Sequence, residues 1–334
     1  MAPGSSAAAG GPAAAGSPTA QSLRSLVGTV ATRLEAAGVA SPLADAIALV
    51  GRAGGLSTSE VRVRMARGDE VFDGAAHDGP APDAPGFDDS SRAALEAAVA
   101  RRVAREPLQH IVGHAAFRSL SLEVGPGVFV PRPETEVVAG RAILAALSVA
   151  ARRDRPACAD LCAGSGAIGI AIATEVPTAR VSLVELDSAA FAYLRRNIAA
   201  QEQGVRERLE ATRADARTAL GARDGTLDVV VANPPYIPPG ATPRDAEVAD
   251  HDPAVALYGL GADGLEVPRG IVAAAARLLR PGGTFVMEHG DEQGSAVRAL
   301  LEEASVADGT RAWTGIETGA DHAGRDRFVV ATRA

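Results

Sequence analysis

Asp160-Leu161-Cys162-Ala163-Gly164-Ser165-Gly166 is the stretch on which the fold turns. It closes the short apolar run ACADLC, residues 157–162, and leads into a helix from Gly166. Glycines at a strand-to-helix turn let a ligand approach the backbone where a Cβ would stand in the way. The same rhythm continues downstream through VSLVEL, a helix from Ser188, the short strand RLEATRA, LDVVVA, a helix around Ile271 and TFVMEH. Short apolar strands alternating with helices predict a doubly wound α/β domain with a mainly parallel sheet. Ligands of such sheets bind at the carboxyl ends of the strands, so residues placed there carry the most weight.

Upstream the pattern is helical. Leu23, Leu26, Val30 and Leu34 recur at helical spacing and stop at Gly38. Ser41 before Pro42 reads as a cap with proline at the first helical position, and Ser57 with Glu60 has the spacing of a capping box. Residues 73–89, rich in Gly, Pro and Asp, predict a loop or linker, and a further helix follows over about 91–105. FRSLSLEV and VFVP flank Gly125-Pro126-Gly127 in the manner of strand, tight turn and strand. The expected organisation is a disordered tail over 1–20, a small helical domain over 21–105, a connector with a β-hairpin over 106–135 and the α/β domain over 136–334.

Composition narrows the function classes. The chain has 334 residues, 47% hydrophobic and 22% charged, enough for two domains and a sizeable core. Its basic residues are all Arg, and a net charge of -8 supplies no long-range attraction to a polyanion, which disfavours a broad nucleic-acid or anionic-membrane surface. Cys158 and Cys162 have no His or Cys cluster beside them, so neither a metal site nor a disulfide framework is indicated, and both read as small buried hydrophobes. No apolar run reaches the roughly 18 residues that a membrane span needs, and the first twenty residues lack the features of a secretory signal, so a cytoplasmic location is expected.

Two sets of residues carry chemistry. Glu185 ends the second strand roughly 20 residues after the glycine turn, the interval expected of a carboxylate that grips ribose hydroxyls. Loop and carboxylate together indicate a nucleoside ligand. The dinucleotide pattern G-x-G-x-x-G is not met, because its first glycine is missing. The form D-L-x-x-G-x-G is instead similar to the first motif of class I, Rossmann-like methyltransferases. That resemblance implies S-adenosylmethionine held by Asp160, Cys162, Ala163, Gly164, Ser165, Gly166, Glu185 and Asn233, with Asp215 and Ala216 beside the adenine. Cys162 stands where that class has its first glycine, and a positive φ there would cost about 1 kcal/mol or more.

Asn233-Pro234-Pro235-Tyr236 follows LDVVVA directly, at the same edge of the sheet. Consecutive prolines remove two backbone donors and leave carbonyls that only accept, while the Asn side chain adds an acceptor oxygen. Such acceptors suit a planar NH2 group, and Tyr236 is placed to stack on it. An amide nitrogen is a poor nucleophile, so gripping its hydrogens and aligning it for in-line displacement would supply most of the acceleration, without a strong general base.

These residues resemble the PrmC/HemK family, the bacterial N(5)-glutamine methyltransferases of peptide chain release factors. The likeness extends to Glu106–Gly113, to Val130-Pro131-Arg132-Pro133-Glu134-Thr135-Glu136, to Asp252-Pro253 and Ala256-Leu257, to Gly261-Ala262-Asp263-Gly264-Leu265, to Pro281-Gly282-Gly283 and to residues 325–330. It implies that a release factor presents the glutamine of its Gly-Gly-Gln loop to Asn233 and the Pro234 carbonyl. Pro235, Tyr236, Pro131, Arg132 and Glu134 would line the acceptor site, and the helical domain would help to dock the partner. Glu134 and Glu136 are expected to cap the helix that follows. Neither a metal nor direct nucleic-acid contact is expected. A ribosomal-protein glutamine, an adenine N6 amine in nucleic acid, or a partner-binding subunit without catalysis remain alternatives.

Overall fold

The structure is a computed structural model and describes residues 21–71, 87–152, 155–306 and 309–334. Its contacts divide the chain after Arg105. In the first unit, helices α1 (Leu23–Ala36), α2 (Pro42–Ala53), α3 (Thr58–Arg67) and α4 (Asp89–Val103) accompany a short antiparallel pair, β1 (Gln21–Ser22) with β2 (Glu70–Val71). Leu23, Val27, Val30 and Leu34 form the buried stripe of α1, as a 3.6-residue period requires. The capping box at α3 is present: Ser57 Oγ accepts the Glu60 N–H at 3.2 Å, and the Glu60 carboxylate accepts the Ser57 N–H at 2.8 Å. Two helix starts differ from expectation. The Ser41 side chain makes no capping bond, so α2 begins on Pro42 alone. α4 begins at Asp89, with Asp88 accepting the Ser91 N–H at 2.8 Å, inside the stretch that composition assigned to a linker. Most of that linker and the tail over 1–20 lie outside the described residues.

The second unit opens with α5 (Leu108–Val112) and a hairpin, β3 (His114–Phe117) with β4 (Leu120–Glu123). The hairpin is not where the glycines suggested. Its turn is Arg118-Ser119, with Arg118 at φ +52°, and Glu136 Oε1 accepts the Arg118 N–H at 2.9 Å. Gly125-Pro126-Gly127 makes a turn with no strand after it, because Val128 and Val130 are buried by packing rather than by pairing. The connector then enters α6 (Thr135–Ala150), which receives no side-chain cap from Glu134, while Glu136 serves the hairpin turn instead.

Seven strands form the main sheet: β5 (Ala157–Leu161), β6 (Arg180–Glu185), β7 (Leu209–Arg213), β8 (Leu227–Ala232), β9 (Leu279–Glu288), β10 (Trp313–Ala320) and β11 (Asp326–Arg333), in the order β10-β11-β9-β8-β5-β6-β7. The five strands β5 to β9 run parallel, and β11 and β10 close one edge antiparallel. Helices α7 (Ala167–Glu175), α8 (Ser188–Ala199), α9 (Gln203–Arg206), α10 (Ala246–His251), α11 (Ala254–Leu257), α12 (Glu266–Leu278) and α13 (Gly294–Glu303) complete the unit. All six residues of β8 are buried, as in a strand covered on both faces. The chain enters at β5, winds outward to β7, then returns to β8 and winds the other way. Strand order therefore reverses between β5 and β8, and their register sets Leu161 beside Ala232. The loops that start at Cys162 and Asn233 consequently leave the sheet side by side.

Candidate active site

A cavity of about 680 Å³ opens at that reversal, within the size range of small-molecule sites. Cys162, Ala163, Gly164 and Ser165 line it from the first loop, Glu185 from the second strand, Asp215 and Ala216 from the loop after β7, and Asn233, Pro235 and Tyr236 from the loop after β8. Pro131, Arg132 and Glu134 line it from the connector. Asp160, Gly166 and Pro234 do not line it, although each borders residues that do.

The first loop is tightly wound. The Gly166 N–H donates to the Ala163 carbonyl at 2.8 Å, and Cys162 sits at φ +66°, so the strain expected of a side chain there is present. Cys162 is also partly exposed toward the cavity rather than fully buried, while Cys158 is buried as expected. Asp160 lies beneath the loop: its Oδ2 accepts the Gly169 N–H at 2.8 Å, its Oδ1 has no hydrogen-bond partner, and burial pushes its pKa up to about 7. Gly169 permits this approach, since a Cβ there would stand 3.1 Å from Asp160 Oδ2 and 2.5 Å from the Leu183 side chain. Asp160 is thus a brace for the start of α7.

Glu185 Oε2 accepts the Gly164 N–H at 2.7 Å, and Oε1 accepts the Asp187 N–H at 2.8 Å. Burial raises its pKa, and these backbone bonds oppose the rise. Asp215 is gripped by Arg217 through contacts of 2.7 to 3.0 Å, which holds its carboxyl below the usual range. Arg217 itself lines the cavity, as does the half-exposed Leu186, and neither was singled out from the sequence.

At the other end of the cavity the Asn233 amide donates to Thr135 Oγ1 at 3.4 Å. Tyr236 has a pKa raised by burial, with the Glu288 carboxylate adding to the shift. Its carbonyl accepts from Gln293 Nε2 at 2.9 Å, which ties the loop to the start of α13. A strap over residues 245–260 walls this end with Val248, Pro253, Ala254, Leu257 and Tyr258. The Ile237 N–H donates to the Leu257 carbonyl at 2.8 Å, fastening strap to loop. The Arg132 guanidinium donates to Asp252 Oδ2 at 2.5 Å and lies 4.9 Å from the centre of the Phe129 ring, so it clasps connector to strap. Thr135, which accepts from Asn233, and Glu288, which the β8 to β9 register sets beside Asn233, were missed as site residues. Among the described residues no group of three or more His, Cys, Asp and Glu side chains is arranged to hold a metal ion, and no helix is long and apolar enough to cross a membrane.

A family model described as Methyltransferase small domain matches residues 121–248. The release factor glutamine methyltransferase of Bifidobacterium longum is 37% identical over 313 residues, covering 92% of this chain and 98% of the relative. That of Mycolicibacterium smegmatis is 44% identical over 312 residues, covering 93% and 98%. The chain belongs to the release factor glutamine methyltransferase family. A 4-amino-L-phenylalanine/4-methylamino-L-phenylalanine methyltransferase of Streptomyces pristinaespiralis is 46% identical over 205 residues, covering 61% of this chain and 68% of the relative. Release factor glutamine methyltransferases thus match across nearly the whole length, helical unit included.

A methyltransferase of this family uses S-adenosylmethionine, and the residues present fit it. Gly164 has open space where a Cβ would point, so the loop leaves its cavity face clear for a ligand. The Glu185 carboxylate at the wall suits ribose hydroxyls, Asp215 suits the adenine amine, and Leu186 offers an apolar surface beside them.

Proposed function

We propose that this chain transfers a methyl group from S-adenosylmethionine to the side-chain amide nitrogen of a glutamine in a peptide chain release factor. The observation that carries the reading is the single cavity lined both by Gly164 and Glu185 and by Asn233 and Tyr236. S-adenosylmethionine supplies an electrophilic methyl on a sulfonium. The chain itself holds the acceptor: the Asn233 Oδ1 and the carbonyl of Pro234, which borders the cavity between Asn233 and Pro235, take the two hydrogens of the glutamine NH2 and aim the nitrogen lone pair at the methyl, so that the N–C bond forms as the S–C bond breaks and the nitrogen then releases one proton to water. Tyr236, Pro235 and the strap exclude water, and Pro131, Arg132 and Glu134 shape the entrance. Positioning and electrostatics of this kind are worth several orders of magnitude in rate.

Incubation with labelled cofactor and release factors is expected to label the wild-type substrate and to leave a Gln→Ala variant of its Gly-Gly-Gln loop unlabelled. Equal labelling of both rejects the reading. A free aromatic amine is a second acceptor worth the same assay, because the Streptomyces relative is named for one. Its match spans only 61% of this chain, against 92% for the Bifidobacterium relative, which favours the protein substrate.

A further inference from the structure

Glu288 ends β9 as a 2% exposed carboxylate that the mechanism above does not use. The register of β8 and β9 pairs Ala232 with Met287, so the next residues, Asn233 and Glu288, leave adjacent strands side by side. Glu288 is close enough to the side chains of Thr135 and Asn233 for both to favour its ionised form, and Thr135 Oγ1 accepts from the Asn233 amide at 3.4 Å. Its Oε2 has no hydrogen-bond partner. An Asn amide is nearly symmetric in shape, so only its partners decide which end faces the cavity. An ionised carboxylate accepts and never donates, and it repels the Asn oxygen while binding the NH2.

We propose that Glu288, directly and through Thr135, is the positioning residue that turns the Asn233 NH2 inward and presents its Oδ1 to the cavity as the acceptor for an incoming NH2 group. The inference rests on the reading that Asn233 holds the substrate nitrogen. The reverse orientation would offer the substrate a donor, and an NH2 group would find no acceptor there.

Several charged groups surround Glu288. Glu134 and Thr135 face it from the start of α6, Asn233 and Tyr236 from the loop after β8, and Arg327 from β11, with Asp321 as the partner of Arg327 at 3.3 Å; His289 follows it in sequence. Burial outweighs Arg327 and lifts the Glu288 pKa to about 7. Below that value Glu288 carries a proton that can be donated to Asn233 Oδ1, which stabilises the wrong orientation. Activity is therefore expected to fall as pH drops below about 7.

In the cofactor-free protein, the side-chain amide NMR signals of Asn233, identified by their loss in Asn233→Ala, are expected to titrate near neutral pH and to stop doing so in Glu288→Gln. With the release factor, Glu288→Gln is expected to lose about 100-fold in kcat, to keep its KM for the cofactor and to lose the acid limb of the pH profile. Asn233 signals indifferent to Glu288→Gln overturn the inference whatever the substrate, and so does wild-type turnover by that variant. A wild-type enzyme that leaves the release factor unmethylated overturns the substrate reading alone, because the NMR titration stands apart from it. Should Glu288→Gln fail to fold, Thr135→Val breaks the bridge with the carboxylate intact and is expected to change both readouts in the same direction.

Discussion

At the scale of single residues, the site is a set of side chains whose partners decide their roles. Asn233→Ala removes one acceptor from the substrate nitrogen and is expected to lower kcat/KM by about 100- to 1,000-fold, the range for one preorganised hydrogen bond at a reacting group, with cofactor affinity read by calorimetry as the control. Cys162, at φ +66°, pays for its side chain in backbone strain. Cys162→Gly is expected to raise stability by up to about 1 kcal/mol and Cys162→Val to lower it by about 1 to 2 kcal/mol, measured by thermal unfolding; a Val variant as stable as Gly contradicts the strain. Asp160 supplies a pH dependence. Its pKa in the folded chain is raised from 3.8 to about 7, so the folded state holds the proton more tightly than the unfolded one. That contribution to stability is complete below pH 3.8 and is lost as pH rises toward 7. Asp160→Asn is expected to flatten this part of the decline in melting temperature. The residues of the two motifs were legible in the sequence because they are contiguous. Thr135 and Arg217 stand inside or beside the motifs but carry no pattern that marks a role, and Glu288, buried behind the cavity wall, reads as the last letter of an apolar strand until the β8 to β9 register sets it beside Asn233.

At the scale of elements, periodicity revealed the parallel strands and most helices, because β5, β6 and β8 are buried almost throughout and α1 has a clean stripe. The hairpin was misplaced for a physical reason. Gly125-Pro126-Gly127 has turn chemistry, but the turn that joins paired strands is Arg118-Ser119, stabilised by Glu136 from another element. The strap carries no strong pattern of its own and is held from outside, whereas α13 buries Gly294, Val297 and Leu301 at helical spacing. The run Gly261–Leu265 acquires its meaning there: Gly264 sits at φ +74°, and a Cβ on it would stand 2.6 Å from the Tyr236 carbonyl oxygen. Gly264→Ala is accordingly expected to cost about 2 kcal/mol or more and to raise the KM for the protein substrate while leaving cofactor binding within a few fold. Loss of cofactor binding of the same size as the loss of substrate binding would place the role of this glycine turn elsewhere.

At the scale of the whole molecule, residues 106–334 carry the entire cavity and a core of their own. We propose that the helical unit serves the partner rather than the chemistry. A fragment over 106–334 is expected to bind S-adenosylmethionine about as tightly as the full chain and to show a KM for the release factor raised by about tenfold or more, the loss of roughly 1.4 kcal/mol of docking energy. An unchanged KM would deny the helical unit that part. The net charge of -8 agrees with a folded protein partner better than with a polyanion.

The most direct measurement is mass spectrometry of a release factor after incubation with the purified protein and S-adenosylmethionine. One added methyl, mapped by fragmentation to the glutamine of the Gly-Gly-Gln loop and added about 100- to 1,000-fold more slowly by Asn233→Ala, is the predicted result. A methyl on any other residue, or methylation at the wild-type rate without the Asn233 side chain, would contradict the account.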